Sequence, residues 1–142
     1  MCAKFHKEKN LIVSGSLDQT IRLWNYDRLV QKMSVTGGTI TQVDVELVCV
    51  IEAHDKGINW VSFHPKNDWI LSASDDRRVK IWKFTESNMT EYETFFGHSF
   101  NVCCVETSPK TNQILSNSED CTLKLWDDNG VCLDTYSVNG EK

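Results

Sequence analysis

Long hydrophobic runs are missing from this sequence of 142 residues. The longest continuous apolar stretch is Leu47–Ile51, which predicts one buried strand and falls far short of the ~18 residues that a membrane helix needs. The first seven residues also lack the apolar segment of a signal peptide, so we expect a cytoplasmic protein. Acidic residues outnumber basic ones by 20 to 15, for a net charge of −5. This balance argues against a nucleic-acid partner, which usually meets a basic face.

Motifs that pair cysteines are also absent. The six cysteines include no C-x-x-C pair, and two of them, Cys103 and Cys104, are adjacent. Neighbouring residues point to opposite faces of a strand, so these two thiols would diverge. Without metal-ligand spacing, the sequence predicts free thiols, no disulfide framework, no metal site and no cofactor.

What the sequence does contain is an internal repeat. Three segments place Ser four residues before Asp, and Trp six residues after that Asp; they are Ser14–Trp24, Ser72–Trp82 and Ser116–Trp126. The second and third Trp are 44 residues apart, a spacing typical of propeller blades. The first and second are 58 apart, which predicts an insertion of 14 residues, carried mostly by the segment from Asp27 to Asp44 with its flexible Gly37-Gly38 pair.

Apolar residues alternate with polar ones in each copy and no segment has a convincing helical stripe, so we predict an all-β fold. About three four-stranded blades would form a partial β-propeller. We divide the chain into an incomplete, three-stranded blade over 1–26, an insertion over 27–44, a second blade over 45–84, a third over 85–128, and the outer strand of a following blade over 129–142. In this division the first blade lacks its outer strand, so we expect that two copies can exchange terminal strands in a homodimer.

The repeats resemble the WD-repeat family, whose signature is a Gly-His pair and a closing Trp-Asp. Gly97-His98 and Trp126-Asp127 match it, whereas Ala53-His54, Trp82-Lys83 and Trp24-Asn25 depart from it. The resemblance implies a buried tetrad of His, Ser, Asp and Trp that stabilises each blade. Two full sets are present, His54, Ser72, Asp76, Trp82 and His98, Ser116, Asp120, Trp126, and the first copy retains Ser14, Asp18 and Trp24.

His, Ser and Asp are also the residues of a hydrolase triad. Here the trio occurs twice at a fixed period, closed each time by Trp, and no G-x-S-x-G elbow or P-loop accompanies it. We therefore predict a structural role and no enzyme activity. Basic residues at Arg77, Arg78, Lys80 and Lys83 are interpreted as a solvated edge and not as a phosphate site.

A finer resemblance lies in Ile51–Pro65, Ile70–Trp82 and Ile114–Asp120, which are similar to the coatomer alpha-subunit family. It implies a non-enzymatic scaffold of the COPI vesicle coat, peripheral at the Golgi membrane, acting in Golgi-to-ER transport. Its implied partners are other coatomer subunits and C-terminal dilysine cargo tails, which the whole propeller binds on the face carrying the His loops.

The resemblance further implies that the pocket for these tails lies mainly in blades preceding this segment. Asp55, Lys56 and Phe100 are candidate residues at its rim. The alternative function is a generic cytosolic WD-repeat adaptor in another complex.

Overall fold

The computed structural model describes residues 1–35 and 44–137, which form three four-stranded antiparallel sheets. The first sheet contains β1 (Cys2–Phe5), β2 (Leu11–Gly15), β3 (Thr20–Asn25) and β4 (Glu46–Glu52). The second contains β5 (Ile58–Phe63), β6 (Trp69–Ser74), β7 (Val79–Phe84) and β8 (Met89–Phe95). The third contains β9 (Val102–Thr107), β10 (Ile114–Ser118), β11 (Thr122–Trp126) and β12 (Cys132–Ser137). The predicted all-β fold of four-stranded blades is confirmed, and the Gly37-Gly38 pair lies outside the described residues.

The outer strands do not belong to the blades that we predicted. β4 pairs with β3, placing Cys49 opposite Leu23, so the first sheet has four strands and is not incomplete. Likewise β12 pairs with β11 of its own chain, with Tyr136 opposite Leu123. Each outer strand therefore completes the sheet before it in the chain. Because no sheet lacks a strand among the described residues, the predicted exchange of terminal strands has no vacant edge to fill.

Two apolar clusters hold the sheets together. The first lies between the first and second sheets and includes Val13, Leu23 and Trp82. The second lies between the second and third sheets and includes Ile81 and Trp126. Each sheet thus buries an apolar face against a neighbouring sheet, and burying this apolar surface is the main force that stacks the blades.

Gly15 marks the closest approach between the first two sheets. A Cβ atom at this position would lie 2.6 Å from Cγ2 of Ile58 and 2.8 Å from Cγ1 of Val61. Real Cβ atoms do not approach other carbon atoms so closely, so only glycine allows the two sheets this spacing.

One helix, α1 (Asp27–Val35), interrupts the strands inside the segment that we predicted as an insertion without helical character. Its first N–H group, on Asp27, donates to Oδ1 of Asn25 at 2.8 Å, as in a helix N-cap. Two ion pairs join the helix to the start of β4: Arg28 to Glu46 at 2.9 Å and Lys32 to Asp44 at 3.3 Å. The helix therefore connects β3 to the outer strand of the same sheet.

Candidate functional site

Because neighbouring strands are antiparallel, several connections meet at one end of the sheets. We call this end the loop face; it consists of residues 16–19, 53–57, 75–78, 96–101 and 119–121. Three of its turns bear the repeated Asp, and the next residue has a left-handed backbone: φ is 75° at Gln19, 73° at Arg77 and 68° at Cys121. In each turn that residue donates its N–H to the carbonyl three residues earlier. This is the geometry of a type I turn followed by a left-handed residue, and it fixes the direction of the Asp side chain.

The second sheet brings one predicted tetrad together. His54, in the connection from β4, lies with Nδ1 2.7 Å from Oδ2 of Asp76 and with Nε2 2.6 Å from Oγ of Ser72. Nε1 of Trp82 donates to the same Ser72 hydroxyl at 2.9 Å. The four side chains thus link a loop, a turn and two strands.

The third sheet repeats this geometry. Nδ1 of His98 lies 2.9 Å from Oδ2 of Asp120, and Nε2 lies 2.7 Å from Oγ of Ser116. Nε1 of Trp126 donates to Ser116 at 2.8 Å. The two networks differ by only 0.1–0.2 Å in corresponding distances.

The first sheet contains the partial set. Nε1 of Trp24 donates to Oγ of Ser14 at 3.0 Å. Asp18 turns to its own loop, where Oδ1 accepts from the N–H of Thr20 at 3.0 Å and from its hydroxyl at 2.5 Å. Trp24 is only partly buried, in contrast to Trp82 and Trp126.

In the third sheet, protonation states determine which group donates in the two hydrogen bonds of the His98 ring. Burial lowers the pKa of His98, although its bond to Asp120 acts the other way, so the ring is neutral at pH 7. Burial opposes ionisation of Asp120, but bonds from Thr122 and His98 hold its pKa at about 2. The ionised carboxylate can only accept, so Nδ1–H of His98 donates to it and Nε2 accepts from Ser116.

The serine hydroxyls are buried and hydrogen-bonded within the tetrads, so a substrate cannot reach them. Ser72 is fully buried, and its oxygen accepts from Trp82 while it faces the ring of His54. Attack on a substrate needs an oxygen that the substrate can reach. The arrangement therefore fastens strands together and presents no nucleophile to solvent.

Sequence reasoning overlooked two supporting positions: a Ser two residues before the Asp in all three turns, and a Thr two residues after it in the first and third. Oγ1 of Thr122 donates to Oδ1 of Asp120 at 2.5 Å and lies 3.3 Å from Nδ1 of His98. Oγ of Ser118 donates to the carbonyl of Phe100 at 3.1 Å and accepts from the N–H of Asp120 at 3.0 Å. The signal was present as Ser-x-Ser before the Asp and Thr two residues after it, since both residue types commonly bond to nearby backbone in turns.

The three candidate rim residues lie on the loop face. Asp55 is exposed and pairs with Nη1 of Arg78 at 3.4 Å. Phe100 is 53% exposed, and the guanidinium of Arg77 lies 5.8 Å from the centre of its ring. Lys56 is exposed. The β6–β7 turn thus places the guanidinium of Arg78 beside Asp55 and that of Arg77 beside Phe100.

Two basic residues of the predicted solvated edge, Lys80 and Lys83, have local partners. Lys80 pairs with Glu91 at 3.0 Å, and Nζ of Lys83 lies 3.9 Å from the ring centre of Tyr92. Burial raises the pKa of Cys104 to about 11, so this thiol stays protonated at neutral pH. All six cysteines are free. Within residues 1–35 and 44–137 no group of His, Cys, Asp and Glu is arranged to hold a metal ion, and no helix is long and apolar enough to cross a membrane.

Comparisons with known proteins find the same three sequence repeats. The family described as "WD domain, G-beta repeat" matches residues 1–25, 45–83 and 89–127. A coatomer alpha subunit of Schizosaccharomyces pombe is 42% identical over 69 residues, covering 48% of this chain and 6% of the relative. "Coatomer subunit alpha-2" of Arabidopsis thaliana is 40% identical over 68 residues, again 48% of this chain and 6% of the relative. "Coatomer subunit alpha" of Saccharomyces cerevisiae is 44% identical over 45 residues, 32% of this chain and 4% of the relative.

The chain thus spans less than a tenth of the length of these relatives. Both predicted resemblances, to WD repeats and to coatomer alpha subunits, are confirmed. The matched family segments cover most of the chain and contain the Ser, Asp and Trp of all three repeats. The protein therefore belongs to the WD-repeat family.

Proposed function

We propose that this chain is a non-enzymatic protein-interaction scaffold within the alpha subunit of the COPI coat. In this role it is cytoplasmic, lies at the Golgi membrane through the coat alone, and serves Golgi-to-ER transport alongside other coatomer subunits. The observation that carries the proposal is its 42% identity over 69 residues with a coatomer alpha subunit. Similar matches to subunits from a plant and a second yeast support it.

The geometry of the repeated networks agrees with a scaffold. Ser72 and Ser116 are buried, and each is bonded to a Trp and a His of its own sheet. Such fully satisfied buried networks rigidify a fold and leave no reactive group exposed. Exposed loops held on a rigid frame are where binding residues usually lie in such proteins.

The finer part of the proposal concerns cargo. Recognition of a C-terminal dilysine tail needs carboxylates for the two ammonium groups and a basic group for the terminal carboxylate. The loop face offers Asp55 and Lys56 as such groups, with the exposed ring of Phe100 in the adjacent loop. We place these residues at the rim of a pocket that the whole propeller completes.

A generic WD-repeat adaptor is the second candidate function. It is favoured by the short coverage, 6% of each of the relatives from Schizosaccharomyces pombe and Arabidopsis thaliana. The tetrads do not separate the two functions, because the resemblance assigns them to WD repeats in general.

Affinity purification of the natural protein that contains this chain, tagged in its own cells, separates the candidates. A coat subunit should co-purify with the remaining coatomer subunits in constant proportion and localise to the Golgi. A variant with Asp55→Arg and Lys56→Glu should retain those subunits and capture less peptide ending in Lys-Lys-x-x. Complexes that contain no coatomer subunit would overturn the COPI proposal and favour the adaptor.

A further inference from the structure

The turn between the first two strands of each sheet lies at the end opposite the loop face. We call these three connections the inner turns and define them as residues 6–10, 64–68 and 108–113. Each begins with a side chain that accepts hydrogen bonds from the backbone of its own turn: His6, His64 and Ser108.

Two histidines close their inner turns through Nδ1. Each accepts from the backbone N–H groups two and three residues later, at 3.0 and 2.9 Å for His6 and at 3.1 and 2.9 Å for His64. The third inner turn uses a hydroxyl in the same place, since Oγ of Ser108 accepts from the corresponding N–H groups, both at 3.3 Å. The three turns therefore share one geometry, but only two of them depend on a titratable group.

This geometry fixes the protonation site of the two rings. A ring nitrogen that accepts two N–H groups carries no proton, so neutral His6 and His64 hold their proton on Nε2. His54 and His98 have the opposite tautomer, because Nδ1 of each lies against the carboxylate of its tetrad. The four histidines of the sequence thus form two pairs with different protonation sites.

The surroundings of the two rings favour the neutral form. The ring of His6 packs edge-on against Phe63 and Phe84 of the second sheet, with centroids 4.8 and 6.2 Å apart. The ring of His64 packs against Trp69 at 4.9 Å, and the residue is only 4% exposed. Burial lowers the pKa of both histidines.

Charged groups act on both rings in opposing directions. Carboxylates favour a charged ring and lysines disfavour it, and burial is the largest single influence on each pKa. These groups are Lys9, Asp68 and Glu8 around His6, and Asp128 and Lys66 around His64.

We propose that His6 and His64 are pH-sensitive switches: each neutral ring closes its inner turn, and protonation of Nδ1 releases it. A proton on Nδ1 turns the acceptor into a donor that faces two N–H groups, so the closed turn loses both hydrogen bonds. In the open turn the ring meets water and protonates near its ordinary pKa of about 6.5. Each of these turns therefore opens more readily as the pH falls below that value.

The third inner turn should not respond, because a serine hydroxyl does not titrate in this range. His6 and His64 also line one cavity of about 370 Å³, together with Lys4 and Glu106. Acidification therefore changes the shape of this cavity and adds positive charge to it.

NMR spectroscopy of the 142-residue chain tests the tautomers first. At about pH 7, spectra of the imidazole nitrogens should show the proton on Nε2 in His6 and His64, and on Nδ1 in His54 and His98. This measurement requires no substitution, so it does not depend on the folding of a variant.

Amide exchange between about pH 7 and pH 5 then tests release. Relative to an unstructured peptide at the same pH, exchange should accelerate on acidification at Lys9 and Asn67, whose N–H groups donate to the two rings. The acceleration should be at most about tenfold per pH unit, the limit for one bound proton. Thr111, which occupies the same place in the third inner turn, is the internal control and should keep its protection.

His64→Ser replaces one switch with the residue type that closes the third inner turn. The pH dependence at Asn67 should disappear in this variant, while that at Lys9 remains. Ser108→His is the reciprocal change and should make exchange at Thr111 depend on pH.

Four results would each overturn the proposal. They are a proton on Nδ1 of His6 or His64 at neutral pH, exchange at Lys9 and Asn67 that acid does not accelerate, equal acceleration at Thr111, and a folded His64→Ser variant that keeps the pH dependence at Asn67. Equal acceleration at Thr111 would show that the chain opens as a whole, without separate release of the two turns.

Discussion

At the scale of single residues, the Ser72 and Ser116 hydroxyls are the points on which the two networks converge. Each accepts an indole N–H and lies against a ring nitrogen of His, and that His is bonded in turn to an Asp. Removal of any one member leaves a buried donor or acceptor without its partner, and the cost of that loss exceeds the strength of the lost bond itself.

Substitution of either network histidine should destabilise the chain. We expect His54→Ala and His98→Ala each to lower the free energy of unfolding by about 1–3 kcal/mol, since the buried Ser and Asp lose a partner. Urea denaturation followed by tryptophan fluorescence measures this. The exposed neighbours provide matched controls, Asp55→Ala and Ser99→Ala. Equal stability of a His variant and its control would contradict the role of the network.

The third-sheet network also predicts how stability depends on pH. The folded-state pKa of His98 is lowered by burial and that of Asp120 is held at about 2, chiefly by hydrogen bonds from Thr122 and His98 that outweigh its burial. Both groups bind protons more readily in the unfolded chain, so stability rises with pH. On acidification we expect one loss below about pH 6.5, where His protonates in the unfolded chain, and a second between about pH 4 and pH 2, where Asp does.

Thr122→Val isolates the carboxylate contribution, because it removes the hydroxyl that donates to Asp120. The acid transition of this variant should move to higher pH, as the pKa of Asp120 rises towards its usual value. Thr111→Val, at an exposed loop position, should leave the transition unchanged. An acid transition of Thr122→Val that coincides with that of the unmodified chain would rule out this explanation.

At the scale of elements, the close contact at Gly15 makes a sharp prediction. Gly15→Ala places a Cβ 2.6 Å from Ile58 and should force the first two sheets apart. We expect a loss of about 1–3 kcal/mol of unfolding free energy, as for other overpacked cores. Gly57→Ala is the control, because its Cβ meets the side chain of Leu17 at 3.1 Å on an exposed loop and should cost less. Thermal melting of both variants is the measurement, and a Gly15→Ala protein as stable as Gly57→Ala would contradict the expectation.

The strands were predictable from sequence, whereas their partners were not. The alternation around Val79 and Ile81, and the repeated Asp turns, located inner strands and hairpins because both signals are local. Glu46–Glu52 pairs with β3, although α1 separates the two strands in the sequence. Such a long-range pairing leaves no local signal. Only residues 53–57 separate this strand from β5, whereas residues 26–45 separate it from β3, so the sequence alone favoured the wrong sheet.

The helix escaped prediction for a related reason. Asp27–Val35 has nine residues, too few for a persistent apolar stripe, and it is fixed by an Asn25 cap and by ion pairs to Glu46 and Asp44. Short helices are marginal on their own and depend on such tertiary contacts. The network residues, in contrast, were found from their spacing because the repeat places them identically in two sheets.

At the scale of the whole molecule, cargo binding by this chain alone should be weak. The exposed carboxylate of Asp55 is already shared with Arg78, whereas a dilysine tail presents two ammonium groups. Calorimetry with peptides ending in Lys-Lys-x-x should therefore show no micromolar binding. The same peptides with an amidated C-terminus are the control, since they lack the terminal carboxylate. Micromolar affinity that depends on that carboxylate and is lost on Asp55→Asn would place the binding pocket within this chain.

The pairing of β4 with β3 carries a consequence for biosynthesis. The outer strand of each sheet comes from the start of the following sequence repeat. The sequence repeat and the four-stranded sheet are therefore offset by one strand. The first sheet is complete only when Glu52 has left the ribosome, and the second only when Phe95 has followed. Synthesis proceeds at about 5–20 residues per second, and each sheet gains its outer strand only after part of the next repeat has been made. Consecutive repeats are therefore joined by strand pairing as well as by packing, and a chain break between two repeats would leave the earlier sheet without its outer strand.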